Sequence, residues 1–308
     1  MLDLAKELNY EPNHLAQSLR SNKTHTIGVV VPEIAMPFFS STLSGMQEYA
    51  IRHGYIIMIC QSMESFRTEK LNVQKLVANR VDGLLISLSG ETKNMDHLRK
   101  LIDKKIPVVL FDRVCDELDV SKVIVDDYKA AFKAVDYLIK TGCHRIAYLG
   151  GPLSLYINQQ REHGYFDALK KNGLVPDEQL MIHCSDLHTG PVGATKQLLS
   201  LPEIPDAIFC MNDPIAIQVM VVLKEQGIRI PDEISVVGFT NEPVASFIEP
   251  SLTTVSQPSY EMGRTAAKLF IDQLEKPESF KPVTKILSTE LIIRNSTRRL
   301  PVPVEVTG

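Results

Sequence analysis

Two short polar pairs, each directly after an apolar run, are places where this sequence could recognise a small molecule. Asp112-Arg113 follows VVLF, and Asn212-Asp213-Pro214 follows AIFC. A carboxylate at a strand's carboxyl end suits hydrogen bonding to a neutral polyol; the alternative for Asp112 is a structural ion pair with Arg113. Asn212 offers both a donor and an acceptor, whereas Asp213, just before Pro214, suits the N-cap of a helix. Phe38-Phe39, after Met36-Pro37, is either packing for a helix start or a platform for a flat or sugar-like ligand. The chain has no tryptophan, so stacking on a sugar face falls to Phe38, Phe39, Tyr156 and Phe239.

Catalytic chemistry finds no footing. There is no G-x-G-x-x-G, G-x-x-x-x-G-K-[ST], G-x-S-x-G or H-E-x-x-H. Leu149-Gly150-Gly151-Pro152 lacks the spacing of a phosphate cradle and reads as a turn that lets a loop approach a ligand. His183, Cys184 and His188 have no second ligand pair nearby, so neither a metal nor a cofactor is expected. Asp126-Asp127 could be an acid pair, but adjacent residues on an extended chain face opposite ways, so a helix start before Tyr128 fits better.

Such residues need a scaffold. From Thr26 onward, short β-branched runs alternate with longer amphipathic stretches. IGVVVP (27–32), YIIMIC (55–60), GLLIS (83–87), PVVLF (107–111) and VIV (123–125) read as strands, with helices over 40–53, 68–79 and about 93–104. The second half repeats the pattern, with strands at 145–151, 181–184, 207–210 and 234–239 and helices over 128–140, 161–171, 193–199 and 215–226. Continuous apolar runs mean strands covered on both faces. The alternation argues for βαβ units with right-handed crossovers. The expected fold class is α/β, with two doubly wound parallel sheets. Ligands then sit beyond the strand carboxyl ends, in loops 35–39, 61–65, 87–90, 112–113, 150–161, 212–213 and 240–241.

The 308 residues suit two domains of about 150 each. Lys plus Arg number 33 against 37 Asp plus Glu, a net charge of −4, so no whole-chain basic footprint for nucleic acid exists. Residues 13–25 (NHLAQSLRSNKTH) differ: they hold Arg20, Lys23, His14 and His25 and no acid. Asn13 is a good N-cap there, with Leu15 and Leu19 at i and i+4. A helix of about eight residues falls below the ~12–15 that stand alone in water, so it orders only against a partner; the alternative is a frayed arm. Five cysteines without C-x-x-C, no secretory signal and no apolar run near ~18 residues point to a reduced cytoplasm and no membrane.

LNYEPNHLAQSLRSNKTHTIGVVVPEIAMPFF resembles the hinge and first strand of the lactose/galactose-repressor (LacI/GalR) family of bacterial transcription regulators. The likeness continues through RVDGLLIS, PVVLFDR, HRIAYLGGP, REHGYFDAL, PDAIFCMND, IPDEISVVGF and PSLTTVSQP, over 1–299. It implies a periplasmic-binding-protein-like type I core behind an N-terminal hinge helix. Residues 1–25 would be the end of the DNA-binding head and the hinge, 26–125 plus 257–284 one lobe, 126–256 plus 285–300 the other, and 301–308 a tail. Most of the helix-turn-helix head is expected to be missing. The resemblance also implies a homodimer that binds operator DNA in its full-length form. Asn13 would open the hinge helix, Leu19 would wedge the minor groove, and Arg20 and Lys23 would contact phosphates or groove edges. For the effector, it places Phe38, Phe39, Asp112, Arg161, Asn212, Thr240 and Gln257 in the cleft. Thr240 stands where the family commonly has Asp, which puts a typical hydroxyl clamp in doubt. The loop after Gly151 lacks the polar pair of purine-binding members, which leaves a carbohydrate or sugar derivative as the expected effector. The rival is a solute-binding protein of the same fold.

Overall fold

The computed structural model describes residues 23–184 and 190–298, so Asn13, Leu19, Arg20 and His188 lie outside it. The chain runs β1 (Thr26–Val31), α1 (Pro37–Arg52), β2 (Ile56–Gln61), α2 (Phe66–Ala78), β3 (Gly83–Ile86), α3 (Asp96–Asp103), β4 (Val108–Phe111) and β5 (Ser121–Val125). It continues as α4 (Asp127–Lys140), β6 (Ile146–Gly150), α5 (Tyr156–Lys171), β7 (Met181–His183), α6 (Gly190–Leu199), β8 (Ala207–Cys210), α7 (Asp213–Glu225), β9 (Ser235–Thr240) and β10 (Thr253–Ser256). It ends with α8 (Ser259–Glu275), β11 (Thr284–Leu287) and β12 (Glu290–Ile292).

Two six-stranded sheets result, ordered β11-β5-β4-β3-β1-β2 and β12-β10-β9-β8-β6-β7. Every pairing is parallel except β10 with β12. The alternation of side chains explains why the strands read as continuous apolar runs. Ile27, Val29 and Val31 join one core while Val30 joins the core on the opposite face. In the second sheet Ala147 and Leu149 face one core, and Ile146 and Tyr148 the other. Pro37 opens α1, Ser65 and Asp126 cap α2 and α4 through their side chains, and Gly54 and Gly142 take positive φ just past α1 and α4.

Three features differ from the sequence reading. First, β2 is not covered on both faces: it is an edge strand, with Ile56 63% exposed and Met58 and Ile59 both exposed. Second, α8 was not read at all. It packs tightly on α1, and a Cβ on Gly263 would stand 1.8 Å from the Thr42 carbonyl oxygen. Third, Lys285 to Leu287 pair with β5 in the first sheet, so the last passage between sheets falls between Leu287 and Glu290. Among the described residues no helix is long and apolar enough to cross a membrane.

Candidate functional site

The loops leaving the strand carboxyl ends of both sheets enclose one cavity of about 40 Å³. Met36, Phe38 and Phe39 reach it after β1, Asp112 and Arg113 after β4, and Gln257 from the passage into α8. The second sheet's side supplies Ile157 and Arg161 from α5, Met211, Asn212 and Pro214 around the start of α7, and Thr240 and Glu242 at the end of β9. Phe38, Phe39, Asp112, Arg161, Asn212, Thr240 and Gln257 are therefore neighbours, although up to 219 positions separate them in sequence. Small-molecule pockets run to roughly 300–1,000 Å³, so a ring-sized ligand enters only if the lobes part. They touch outside the cavity as well, where the Ser154 hydroxyl donates to the Gly90 carbonyl at 2.9 Å. Lys23 lies elsewhere, beside a groove of about 960 Å³ at the amino ends of the first-sheet strands.

Arg161 is buried and held from three sides. Its Nε and Nη2 donate to one oxygen of Asp127 at 2.8 and 2.7 Å, and Nη1 donates to the Met211 carbonyl. Its guanidinium carbon stands 3.7 Å above the Phe239 ring centre. That contact occupies a face of Phe239, which takes this ring out of the set available to stack on a sugar. Three of the five guanidinium N–H groups are committed, leaving two uncommitted.

Asp112 sits at positive φ (58°) just past β4, buried yet without a hydrogen bond to its carboxylate. Arg113 is not its close partner. The Arg113 Nη1 donates to both oxygens of Glu64 at 2.8 and 2.7 Å, while its Nε is 4.0 Å from Asp112. Burial pushes the Asp112 carboxyl up to about 6; Arg113 and Arg161 pull it down, and Asp127 and Glu64 push it further up. Phe38 and Phe39 meet edge to face at 5.1 Å and belong to the first-sheet core, so they pack the start of α1 and also wall the cavity.

The cap expected of Asp213 falls to Asn212, which also lines the cavity as expected. Asn212 is the N-cap, its Oδ1 accepting the Ile215 N–H at 3.0 Å, which leaves its amide nitrogen for the cavity. Asp213 is wholly buried behind it, accepting from the Thr254 hydroxyl at 2.5 Å and the Glu242 N–H at 2.7 Å. Burial raises its carboxyl to about 7 despite those bonds. Thr240 has φ of 113°, which β-branched residues rarely adopt, and its buried hydroxyl has no partner. Gln257 likewise has a buried, unpartnered Nε2. The wall thus mixes unpaired donors and acceptors with aromatic and aliphatic surface, as a polyhydroxylated ligand requires.

Comparison with known proteins decides the lineage. Residues 24–295 match the model described as periplasmic binding proteins and sugar binding domain of LacI family. The chain belongs to the LacI family. The transcriptional repressor CytR of Escherichia coli K12 is 34% identical over 297 residues, 96% of this chain and 86% of CytR. The repressor PurR of Vibrio atlanticus is 33% identical over 296 residues, 96% of this chain and 87% of PurR. Among solved structures, the transcriptional regulator CelR in complex with cellobiose superposes with a TM-score of 0.82 at 30% identity, covering 95% of this chain and 88% of CelR. These relatives are transcriptional regulators, not enzymes.

In this LacI-family core two acidic residues escaped the sequence reading as parts of the site. Asp127 reads as a helix start, which it is, but it also neutralises Arg161 from 34 positions away. Glu242 lines the cavity with its carboxyl raised by burial, and nothing in its surrounding NEPVA marks it. His183 is bound to Glu162 at 2.5 Å rather than to a metal-like group. Among the described residues no three His, Cys, Asp or Glu side chains gather to hold a metal ion.

Proposed function

We propose that this chain is the effector-binding and dimerisation core of a transcription regulator, and that its effector is a carbohydrate or sugar derivative bound between the lobes. One observation carries the reading: seven side chains from six separate stretches of chain converge on a single interlobe cavity, and two of them, Thr240 and Gln257, have buried, unpaired polar atoms. Asp112, Asn212, Thr240 and Gln257 would bind hydroxyls, Arg161 would supply its two uncommitted N–H groups, and Phe38 and Phe39 would pack the ring. The complex of CelR with cellobiose supports the class of ligand.

The closeness of the lobes supports a regulatory reading. A ligand too large for 40 Å³ changes the angle between lobes, and the lobe carrying Lys23 and Thr24 passes that change to residues 13–22. There Asn13 would open the hinge helix, Leu19 would wedge the minor groove, and Arg20 and Lys23 would contact operator DNA. In a homodimer, the two hinges pair or separate with the lobe angle. The exposed apolar side chains Ile51 on α1, Ile56, Met58 and Ile59 on β2, and Leu71 on α2 form the face on which a second copy would sit. Action on operator DNA places the protein in the cytoplasm. A solute-binding role for transport is not favoured, because the curated relatives are repressors.

A thermal-shift screen of mono- and oligosaccharides and their phosphates tests the effector class, since a ligand selective for the folded state raises the melting temperature. At least one neutral sugar should do so. A shift with purines or amino acids and with no sugar overturns the proposal.

A further inference from the structure

Behind the cavity just described lies another, of about 210 Å³, beside the passage from β5 into α4. Asp112 and Ile157 wall both, so a ligand extending from the inner cavity past Asp112 would enter it. Its charged lining is entirely acidic, namely Asp112, Asp126 and Asp127, and its rings are Tyr128 and Tyr156. The three acids are not equivalent. Asp126 caps α4 by accepting the Lys129 N–H at 2.9 Å, and Asp127 is neutralised by Arg161. Asp112 is the least satisfied: only 7% exposed, it accepts no hydrogen bond, and its ion pair is long, Arg113 Nε standing 4.0 Å away while the same guanidinium is bound to Glu64.

A buried carboxylate that accepts no hydrogen bond, at the wall of a cavity lined by two tyrosines and by no Lys or Arg, favours a positively charged occupant. Coulomb attraction to Asp112 is strengthened by the partly dry surroundings, and the tyrosine faces attract an ammonium group through their quadrupoles. A neutral group would leave the buried charge compensated only at a distance, by Arg113 and Arg161, and an anion would be repelled. We propose that this chamber is a second subsite of the effector cleft, taking the protonated amine of a ligand whose hydroxylated part occupies the inner cavity. The link between the two parts rests on the effector reading above; the chamber's preference for a cation does not. Tyr156 also packs against the apolar core of the first lobe while belonging to the second, so an occupant touching it bears on the lobe angle.

The test uses the full chain labelled with 3-fluorotyrosine, with Tyr128→Phe and Tyr156→Phe assigning the two fluorine resonances. Ethanolamine, ethylene glycol and glycolate are titrated separately at pH 7.5. Ethanolamine should move both resonances saturably, the other two should move neither, and Asp112→Asn should weaken the amine at least fivefold. The proposal is overturned if ethanolamine moves neither resonance, if glycol or glycolate moves them as far, or if Asp112→Asn leaves the amine's dissociation constant unchanged. Amine binding without any sugar response in the thermal screen would sink the carbohydrate reading and spare the cation chamber; the reverse pattern would do the opposite.

Discussion

Replacing Thr240 by glycine should make the protein more stable while impairing its ligand site. At φ of 113° the Thr240 backbone lies where L side chains are strained, a cost of about 1–3 kcal/mol. Its buried, unpartnered hydroxyl adds roughly 1 kcal/mol or more. Glycine removes both, and gives back about 1 kcal/mol in the entropy of a freer unfolded chain. It also loses part of a methyl contact at a half-buried position, another fraction of a kcal/mol. The balance is a gain of about 1–2 kcal/mol. At roughly 2–4 °C per kcal/mol for a domain of this size, the melting temperature should rise by about 2–8 °C. Differential scanning calorimetry without added ligand reads this directly. Thr240→Ala separates the two contributions, because it removes the hydroxyl but keeps the strained backbone, and so should fall between wild type and glycine. A glycine variant that melts at or below the alanine variant would refute the claim that strain is stored at this position. Binding of any sugar found in the thermal screen should weaken in both variants.

Three other outcomes follow. Folded Asp112 keeps its proton up to about pH 6 and unfolded Asp near 3.9, so between those values the native state binds more protons. Stability must then fall as pH rises through that window and level off above it, by about 3 kcal/mol at most; Asp112→Asn should remove this component from a urea-unfolding series, and parallel curves for the two proteins would contradict it. Arg161→Met strands the buried Asp127 carboxylate and should cost about 3–5 kcal/mol in urea unfolding, whereas Arg161→Met with Asp127→Leu should recover most of that loss. A double variant no more stable than the single one would show that the pair is not the dominant contact. If the parent sediments as the proposed dimer, Met58→Glu, on the exposed apolar edge strand, should sediment as a monomer; a variant that still dimerises would move the interface elsewhere.

The alternation of strands and helices was legible because each buried strand is four to six residues of nearly pure apolar character, as in GLLI, VVLF and AIFC. The same signal misled at β2. IIMICQ has the composition of a buried strand, but exposure depends on its place at the sheet edge, which no local pattern records. Helix α8 is weakly marked in its first turns, where the buried positions Gly263, Ala266 and Ala267 are small and serve to let α1 approach; the large buried residues Leu269, Phe270 and Ile271 come only towards its end. In the site, strand-end position was enough to raise Asp112 and Asn212, and the family resemblance raised Arg161, Thr240 and Gln257. What stayed hidden were partnerships. Asn212 and Asp213 are adjacent and both able to cap, so only the reach of Asp213 to Thr254, 41 positions on, assigns the cap to Asn212. Arg113 stands next to Asp112 yet pairs with Glu64, 49 positions away.

The near-closed cleft also says how a ligand could shift the lobes. With the lobes this close, Thr240 Oγ1 and Gln257 Nε2 are cut off from water and unpaired, and the Arg113 Nε is in the same condition. Each such group costs on the order of 1–3 kcal/mol, a penalty that opening would relieve by admitting water. The closed arrangement is therefore held against a built-in opening force by its apolar contacts and by bonds such as Ser154 to Gly90. A ligand whose hydroxyls satisfy two of those groups, at about 1.4 kcal/mol each, would move the balance between open and closed lobes by roughly a hundredfold. A ligand of the same size that leaves them unpaired would lack this contribution, because only differential interaction with the two states moves the balance. Discrimination between effectors and inert binders would then rest in part on the same unpaired atoms that make the site recognisable.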